Sequence, residues 1–312
     1  MEKLSIIGCG TMGHSIALNG AWLNIPVKLQ GIDEKDINRA LTGIRSKINI
    51  LVQNNLLNEY EAEQIVERIT FTTSTEEVVA GCSFVIEAIP EDLDLKRKLF
   101  RKLDHICDKE VILASSTSGL SAAGISEKMT HRSRFIIAHF WNPAHLIPLV
   151  EIVPCDKTSN QCVDRSLTLM TAMGKKPIIV KKDIPGFVGN RLQFALFREA
   201  QYLLEEGVAT KEDIDAAVTY SFGRRLPVTG PLTSADLGGL DIFSSISDYL
   251  FHHLSNADGS FSLLKSLVND NKLGEKTGEG YYTWDNSLSE KMNRNRENQL
   301  IHFLKKDMEG NS

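Results

Sequence analysis

Leu4-Ser5-Ile6-Ile7-Gly8-Cys9-Gly10-Thr11-Met12-Gly13 is the stretch on which the reading of this chain turns. A short apolar run gives a strand signal. The glycines that follow are G-x-G-x-x-G, and they open an amphipathic stretch over 12–22. The glycine pattern is a weak signal alone, and a strand before it with a helix after it makes it strong. Gly8 permits a tight turn, Gly10 lets the backbone approach a pyrophosphate, and Gly13 lets helix and strand pack closely. The helix start at Thr11 and Met12 offers free N–H groups and a positive dipole end to phosphates. Gly8, Gly10, Thr11, Met12 and Gly13 are therefore candidate contacts for a dinucleotide.

Working outward, short apolar runs at 27–29, 84–88, 111–115, 135–139, 150–153 and 178–180 alternate with amphipathic stretches at 36–54, 59–68, 94–106, 122–128 and 160–173. Strands alternating with helices predict βαβ units, hence a doubly wound Rossmann-type sheet. After Asp183-Ile184-Pro185-Gly186 the texture changes. Stretches 188–206, 211–222, 235–254 and 289–308 carry helical periodicity with almost no strand signal. Pro and Gly end elements, so the expected boundary divides a nucleotide-binding domain, 1–183, from an all-helical C-terminal domain, 184–312.

The second strand of a dinucleotide fold ordinarily ends in an acid for the adenosine ribose. Here it reads Val27-Lys28-Leu29-Gln30-Gly31-Ile32-Asp33. Glycine stands where the acid is expected, and Asp33 two residues on is the candidate to replace it. No arginine adjoins Gly31 to hold a 2′-phosphate, although Lys35 and Arg39 are near. The coenzyme expected is NAD, with NADP left open.

Composition narrows the classes. The chain has 312 residues, 42% hydrophobic and 24% charged, with a net charge of -5. That is a globular composition, not a disordered one. The acidic balance and lack of a long basic run argue against nucleic-acid or anionic-membrane partners. No apolar run reaches the ~20 residues of a membrane span, and the first residues lead into a strand rather than a signal peptide. Five scattered cysteines without a CxxC pair predict no metal site and a reducing, cytoplasmic setting.

Further segments carry a resemblance. Ser115-Ser116-Thr117-Ser118, His139-Phe140-Trp141-Asn142-Pro143 with Leu149-Val150-Glu151, Pro185-Gly186-Phe187-Val188-Gly189-Asn190-Arg191, and Gly274-Glu275-Lys276-Thr277-Gly278-Glu279-Gly280-Tyr281-Tyr282 follow the glycine motif in order. Together they resemble the L-3-hydroxyacyl-CoA dehydrogenases over nearly the whole chain. The resemblance implies hydride transfer between NAD(H) and the 3-hydroxy/3-keto group of a small acyl-CoA, short-chain by the bulk of Trp141 and Phe140. His139 would be the general base, Glu151 its orienting carboxylate, Ser118 a hydrogen-bond partner of the substrate oxygen, and Asn190 a substrate-placing residue. Asn142 would lie by the nicotinamide, and Glu91 and Lys96 would contact the coenzyme. The pairing suits the chemistry, since a neutral imidazole backed by a carboxylate has the right pKa and a defined tautomer.

The substrate is less sharply written. Relatives using acyl-CoA often carry lysines on the helix after the second strand, and here only Arg45 and Lys47 supply charge near Leu51–Asn55. Relatives that oxidise free hydroxy acids, of the L-gulonate and carnitine type, share the four polar motifs. A structural, lambda-crystallin-like use is the third reading. The apolar faces of 188–206 and 235–254 predict a homodimer, as the resemblance also does.

Overall fold

The computed structural model describes residues 2–309. Its eight strands are β1 (Leu4–Ile7), β2 (Val27–Gln30), β3 (Ile69–Thr72), β4 (Phe84–Glu87), β5 (Ile112–Ser115), β6 (Phe135–Phe140), β7 (Leu149–Pro154) and β8 (Lys176–Ile179). They form one sheet in the order β3-β2-β1-β4-β5-β6-β7-β8. The first six run parallel, β7 is antiparallel to β6, and β8 is parallel to β7. The chain winds outward from β1 to β3, then returns to the other side of β1 to begin β4. The crevice beyond the carboxyl end of β1 is the topological switch point, where such sheets bind ligands.

Period-2 alternation sorts the central strands onto two cores. Ile6, Ile86, Ala114, Ile136 and Ala138 face one way. Ile7, Val85, Leu113, Phe135 and Ile137 face the other. Burial on both faces is why these strands read as continuous apolar runs. The helices packed around the sheet are α1 (Thr11–Trp22), α2 (Glu34–Gln53), α3 (Glu59–Glu67), α4 (Thr75–Val79), α5 (Leu93–Ile106), α6 (Ala122–Ser126) and α7 (Asn160–Ala172). Side-chain caps start most of them. Asn58 and Glu61 form a reciprocal capping box on α3, and Asp33, Asp92 and Ser159 cap α2, α5 and α7. Each such cap stabilises by about 1 kcal/mol.

The remaining helices are α8 (Gly189–Glu205), α9 (Lys211–Thr219), α10 (Pro231–Gly238), α11 (Leu240–Leu250), α12 (Ser262–Asn269) and α13 (Asn286–Glu309). Two compact units result: residues 2–190 with 296–309, and residues 191–295. This differs from a cut at 183 in two respects. Residues 184–190 stay with the sheet because backbone N–H groups of Val188 and Gly189 bind Glu151 of β7. The end of α13 also joins the sheet unit: Ile301 is buried in its core beside Leu300 and Leu304, and Lys176 pairs with Asp307 at 3.3 Å.

Three elements escape a reading by periodicity: β3, α4 and α12. The stretch 235–254, read as one helix, breaks into α10 and α11 at Gly239, whose φ of 94° a helix cannot continue. Among the described residues, no helix is long and apolar enough to cross a membrane.

Candidate active site

The glycine loop is shaped for a dinucleotide. Gly8 has φ +99°, and a Cβ there would stand 2.6 Å from the Ala88 carbonyl oxygen. A Cβ on Gly13 would stand 1.8 Å from the Gly8 oxygen, so the helix start can lie this close to the loop only as glycine. A Cβ on Gly10 would meet nothing within 4 Å. That open space lies over the N-terminus of α1, where Gly10 supplies no side-chain cap and no acid occupies the first turn. The donor set therefore fits a pyrophosphate.

The ribose end lies around Gly31 and Asp33. Gly31 is enclosed: a Cβ would come within 2.8 Å of Ile37 Cγ1 and 3.0 Å of Cys9 Sγ. The Asp33 carboxylate accepts from the Asp36 backbone N–H at 2.8 Å and so caps α2. Asp36 accepts from Ile32 N–H at 3.1 Å and pairs with Arg39 at 2.8 Å. The Cys9 thiol and the Ile32 N–H hold the Asp36 carboxyl below the usual range. Arg39, the nearest arginine for a 2′-phosphate, is thus already partnered by Asp36.

The next loops are tied together by Glu91. Its carboxylate accepts from the Thr117 hydroxyl, from Ser118 N–H at 3.2 Å and from Gly119 N–H at 3.3 Å. Burial raises its pKa, and Thr117 and Lys96 outweigh that and hold it low. Lys96 is buried, and its ammonium lies 2.5 Å from Glu87 and 3.3 Å from Glu91. Glu87, at the end of β4, also accepts from Ser115 at 2.6 Å and from Ile89 N–H at 2.7 Å. Burial nonetheless pushes its carboxyl upward against the pull of Lys96. Lys96 thus faces inward and braces Glu91. Ser118 is exposed at the end of this loop, and its carbonyl accepts from the Asn190 amide at 3.0 Å.

His139 and Glu151 meet because of the one antiparallel step in the sheet. The β6–β7 register sets them directly opposite. His139 Nδ1 lies 2.8 Å from Glu151 Oε2, and both side chains are buried. A carboxylate only accepts, so Nδ1 carries the hydrogen. Trp141 Nε1 donates to the same oxygen at 3.3 Å, while Val188 and Gly189 N–H donate to Oε1 at 2.8 and 3.0 Å. Burial would raise the Glu151 pKa, and these hydrogen bonds, led by His139, hold it low. Phe187, at φ 50°, packs its ring 5.6 Å from His139, with Trp141 at 5.5 Å on the imidazole as well. A left-handed non-glycine residue costs about 1–2 kcal/mol, and here it brings that ring onto the imidazole and aims the next two N–H groups at Glu151. A Cβ on Gly189 would strike Trp141 at 2.3 Å. Asn142 is exposed just beyond β6.

The structure links the four through the start of α8: His139 on β6 bonds Glu151 on β7, Glu151 accepts from Gly189 N–H, and the neighbouring Asn190 bonds the Ser118 carbonyl in the loop after β5. Glu87 went unread in the sequence, and the contacts of Thr117 with Glu91, of Trp141 with Glu151 and of Phe187 with His139 were not read from the motifs that contain these residues. A buried carboxylate ending an otherwise apolar strand was the available signal for Glu87.

Two family models match most of the chain. Residues 3–184 match the 3-hydroxyacyl-CoA dehydrogenase NAD binding domain, and residues 186–284 match its C-terminal domain. The chain belongs to the 3-hydroxyacyl-CoA dehydrogenase family. It is an NAD-dependent oxidoreductase of that family. It is 32% identical to 5-formyl-3-hydroxy-2-methylpyridine 4-carboxylate 5-dehydrogenase of Mesorhizobium japonicum, over 96% of each chain. A solved structure of an enzyme with that activity, described as an NAD+-dependent dismutase, has a TM-score of 0.90 at 31% identity and covers 97% of both chains. Lambda-crystallin of Oryctolagus cuniculus is 39% identical, over 84% of this chain and 80% of its own. The helix α13 lies beyond the span that the family models cover.

Proposed function

We propose that this family member interconverts a hydroxyl and a carbonyl on a small free carboxylic acid, with His139 as the general acid/base. The observation that carries the reaction is the His139–Glu151 pair, closed by four donors to one buried carboxylate. Glu151 fixes the hydrogen on Nδ1, which leaves Nε2 to accept a proton from the reacting oxygen. The imidazolium that forms is stabilised by the carboxylate, and in the reverse direction it returns the proton. Ser118, set by Glu91 and Asn190, steadies the same oxygen. NAD, held by the Gly8–Gly13 loop, supplies the hydride acceptor when bound. A carbonyl that hydrates presents the same kind of hydroxyl to His139.

The substrate class rests on α2. Lys47, which a CoA phosphate would need, turns inward, its ammonium 2.9 Å from His14 Nε2. Burial and the Lys47 charge keep His14 deprotonated, so it accepts that hydrogen bond. Arg45 faces Glu63 at 4.0 Å. The full-length similarity to a dehydrogenase of a pyridine carboxylate points the same way. A short-chain 3-hydroxyacyl-CoA is the second reading, favoured by the His139-Phe140 and Gly274–Tyr282 segments. The closed polar set around Glu151 argues against a purely structural, crystallin-like role, since packing alone does not call for it. The test is NADH oxidation with acetoacetyl-CoA, set against free 3-keto acids and aromatic aldehyde acids. Turnover of the free acids with none of the thioester supports the proposal, and the reverse result overturns it.

A further inference from the structure

His14, the residue next after the glycine motif, is buried in the first turn of α1. Its ring lies against α2 at Gly43, where a Cβ would stand 2.8 Å from the imidazole Nε2 and 2.9 Å from Cε1. Glycine inside a helix costs about 1 kcal/mol relative to alanine, and at this position of α2 it leaves the room that the imidazole fills. Both ring nitrogens are engaged. Nδ1 lies 3.3 Å from the Cys9 carbonyl oxygen, inside the glycine loop, and Nε2 lies 2.9 Å from the Lys47 ammonium.

The two partners decide where the hydrogen sits. An ammonium only donates and a carbonyl oxygen only accepts. Nε2 is therefore bare toward Lys47, and Nδ1 carries its hydrogen toward Cys9. A protonated ring would set an N–H against the Lys47 ammonium. Burial, then the Lys47 charge, lowers the His14 pKa in keeping with that. Other charged and titratable groups face the pair from further elements. Glu297 of α13, with Arg296 beside it, favours the charged form of Lys47 against burial. His145, bonded to the Ser15 hydroxyl at 2.9 Å, approaches from the loop after β6. Lys175, which donates to the Ala144 and Ile147 carbonyls, approaches from the turn before β8.

The consequence lies in the peptide that joins Cys9 to Gly10. A peptide is planar and trans, so its carbonyl and its N–H point opposite ways. Tying the Cys9 oxygen to His14 thus fixes the Gly10 N–H on the side away from the imidazole. We propose that His14 is a positioning residue for the coenzyme: its Nδ1–H holds the Cys9 carbonyl, and the Lys47 ammonium sets the tautomer that makes this donor. The glycine loop is thereby held in its phosphate-binding shape before the coenzyme arrives. Such preorganisation raises affinity by removing an ordering cost. The role is the same whichever substrate the enzyme takes.

The experiment compares full-length Lys47→Met with wild type by calorimetric titration of NAD+ from pH 6 to 8.5. Without the ammonium, neutral His14 divides between its two tautomers, and only one of them donates to Cys9. NAD+ should then bind about fivefold more weakly at pH 8.5, the worth of about one hydrogen bond. Below the ordinary imidazole pKa of about 6.5, the freed ring gains a second hydrogen and donates from Nδ1 again. The gap should therefore close to within about twofold at pH 6. A gap that stays constant over this range, or no gap at pH 8.5, would overturn the proposal. Adding Glu297→Gln should leave both the gap and its closure in place. A closure lost with that change would also overturn the proposal, since Glu297 and not His14 would then be titrating. On the wild type itself, nitrogen-15 NMR of labelled histidine should show the His14 hydrogen on Nδ1 throughout the range, and a hydrogen on Nε2 would count against the assignment whatever the variants do.

Discussion

Replacing Glu151 by glutamine is the most informative single change, because the structure leaves the amide no good orientation. The carboxylate accepts from His139 and Trp141 on one oxygen and from Val188 and Gly189 on the other. An amide offers one oxygen and one NH₂ group. If the NH₂ faces Val188 and Gly189, it meets two backbone donors that cannot turn away. If it faces His139, it forces Nδ1 to accept, moves the imidazole hydrogen to Nε2 and removes the base from the reacting oxygen. Either way the imidazolium loses an anion whose charge centre lies about 4 Å away, roughly 4 kcal/mol at an effective dielectric near 20. The amide dipole returns part of that, leaving about 3 kcal/mol of barrier, or a rate lower by ~10². The assay is kcat and NADH affinity by fluorescence titration on one sample of Glu151→Gln. The expected result is a hundredfold loss of kcat with NADH affinity within about twofold. Turnover within threefold of wild type would refute the reasoning. A matching collapse of NADH binding would assign Glu151 to holding the fold instead.

Other outcomes follow from particular residues. Burial, with the charges of Lys47 and Lys175, lowers His145 to about 3, against 6.5 when unfolded. The unfolded chain therefore binds the extra proton between those values, and stability should fall by up to about 1.4 kcal/mol per pH unit as pH drops below 6.5. Urea midpoints from pH 7 to 4.5 should show His145→Gln with a flatter slope, and an unchanged slope would count against this. Lys96→Met strands the Glu87 carboxylate in the core and should cost about 3–5 kcal/mol. Adding Glu87→Gln should recover much of it in denaturant titrations. Gly13→Ala drives a methyl into the Gly8 oxygen, so NADH affinity should fall by at least a hundredfold in fluorescence titration. Leu240, Phe243 and Ile246 lie exposed along α11, and the dimer that we propose to cover them should give a light-scattering mass of two chains, with a one-chain mass at micromolar concentration overturning it.

The sheet could be read from the chain because its central strands are buried on both faces and its helices carry a plain apolar stripe. Strand β3, Ile-Thr-Phe-Thr at the sheet edge, is half polar and follows α3 without a break, so no pattern separates it. His139 and Glu151 were visible as motif residues. Their contact depends on the β6–β7 register, which tertiary pairing sets rather than local preference. The N–H groups of Val188 and Gly189 carry no sequence identity, and their direction comes from the left-handed turn at Gly186 and Phe187. Lys96 read as a coenzyme contact from its motif, while the structure commits its ammonium to Glu87 and Glu91. An ion pair of that kind joins residues nine and five positions apart through a loop, and only the fold of that loop decides it. Nor does helical periodicity say which unit a terminal helix will pack on, and α13 ends on the sheet unit through Ile301.

The central claim is that His139 moves the proton and is not needed to hold the coenzyme. The direct measurement is turnover of His139→Gln on the best substrate from the panel, beside its NADH titration. General acid–base catalysis contributes about 10²–10⁴ in rate, so kcat should fall by at least a hundredfold while NADH affinity stays within about twofold. A variant that keeps turnover within tenfold of wild type would contradict the claim.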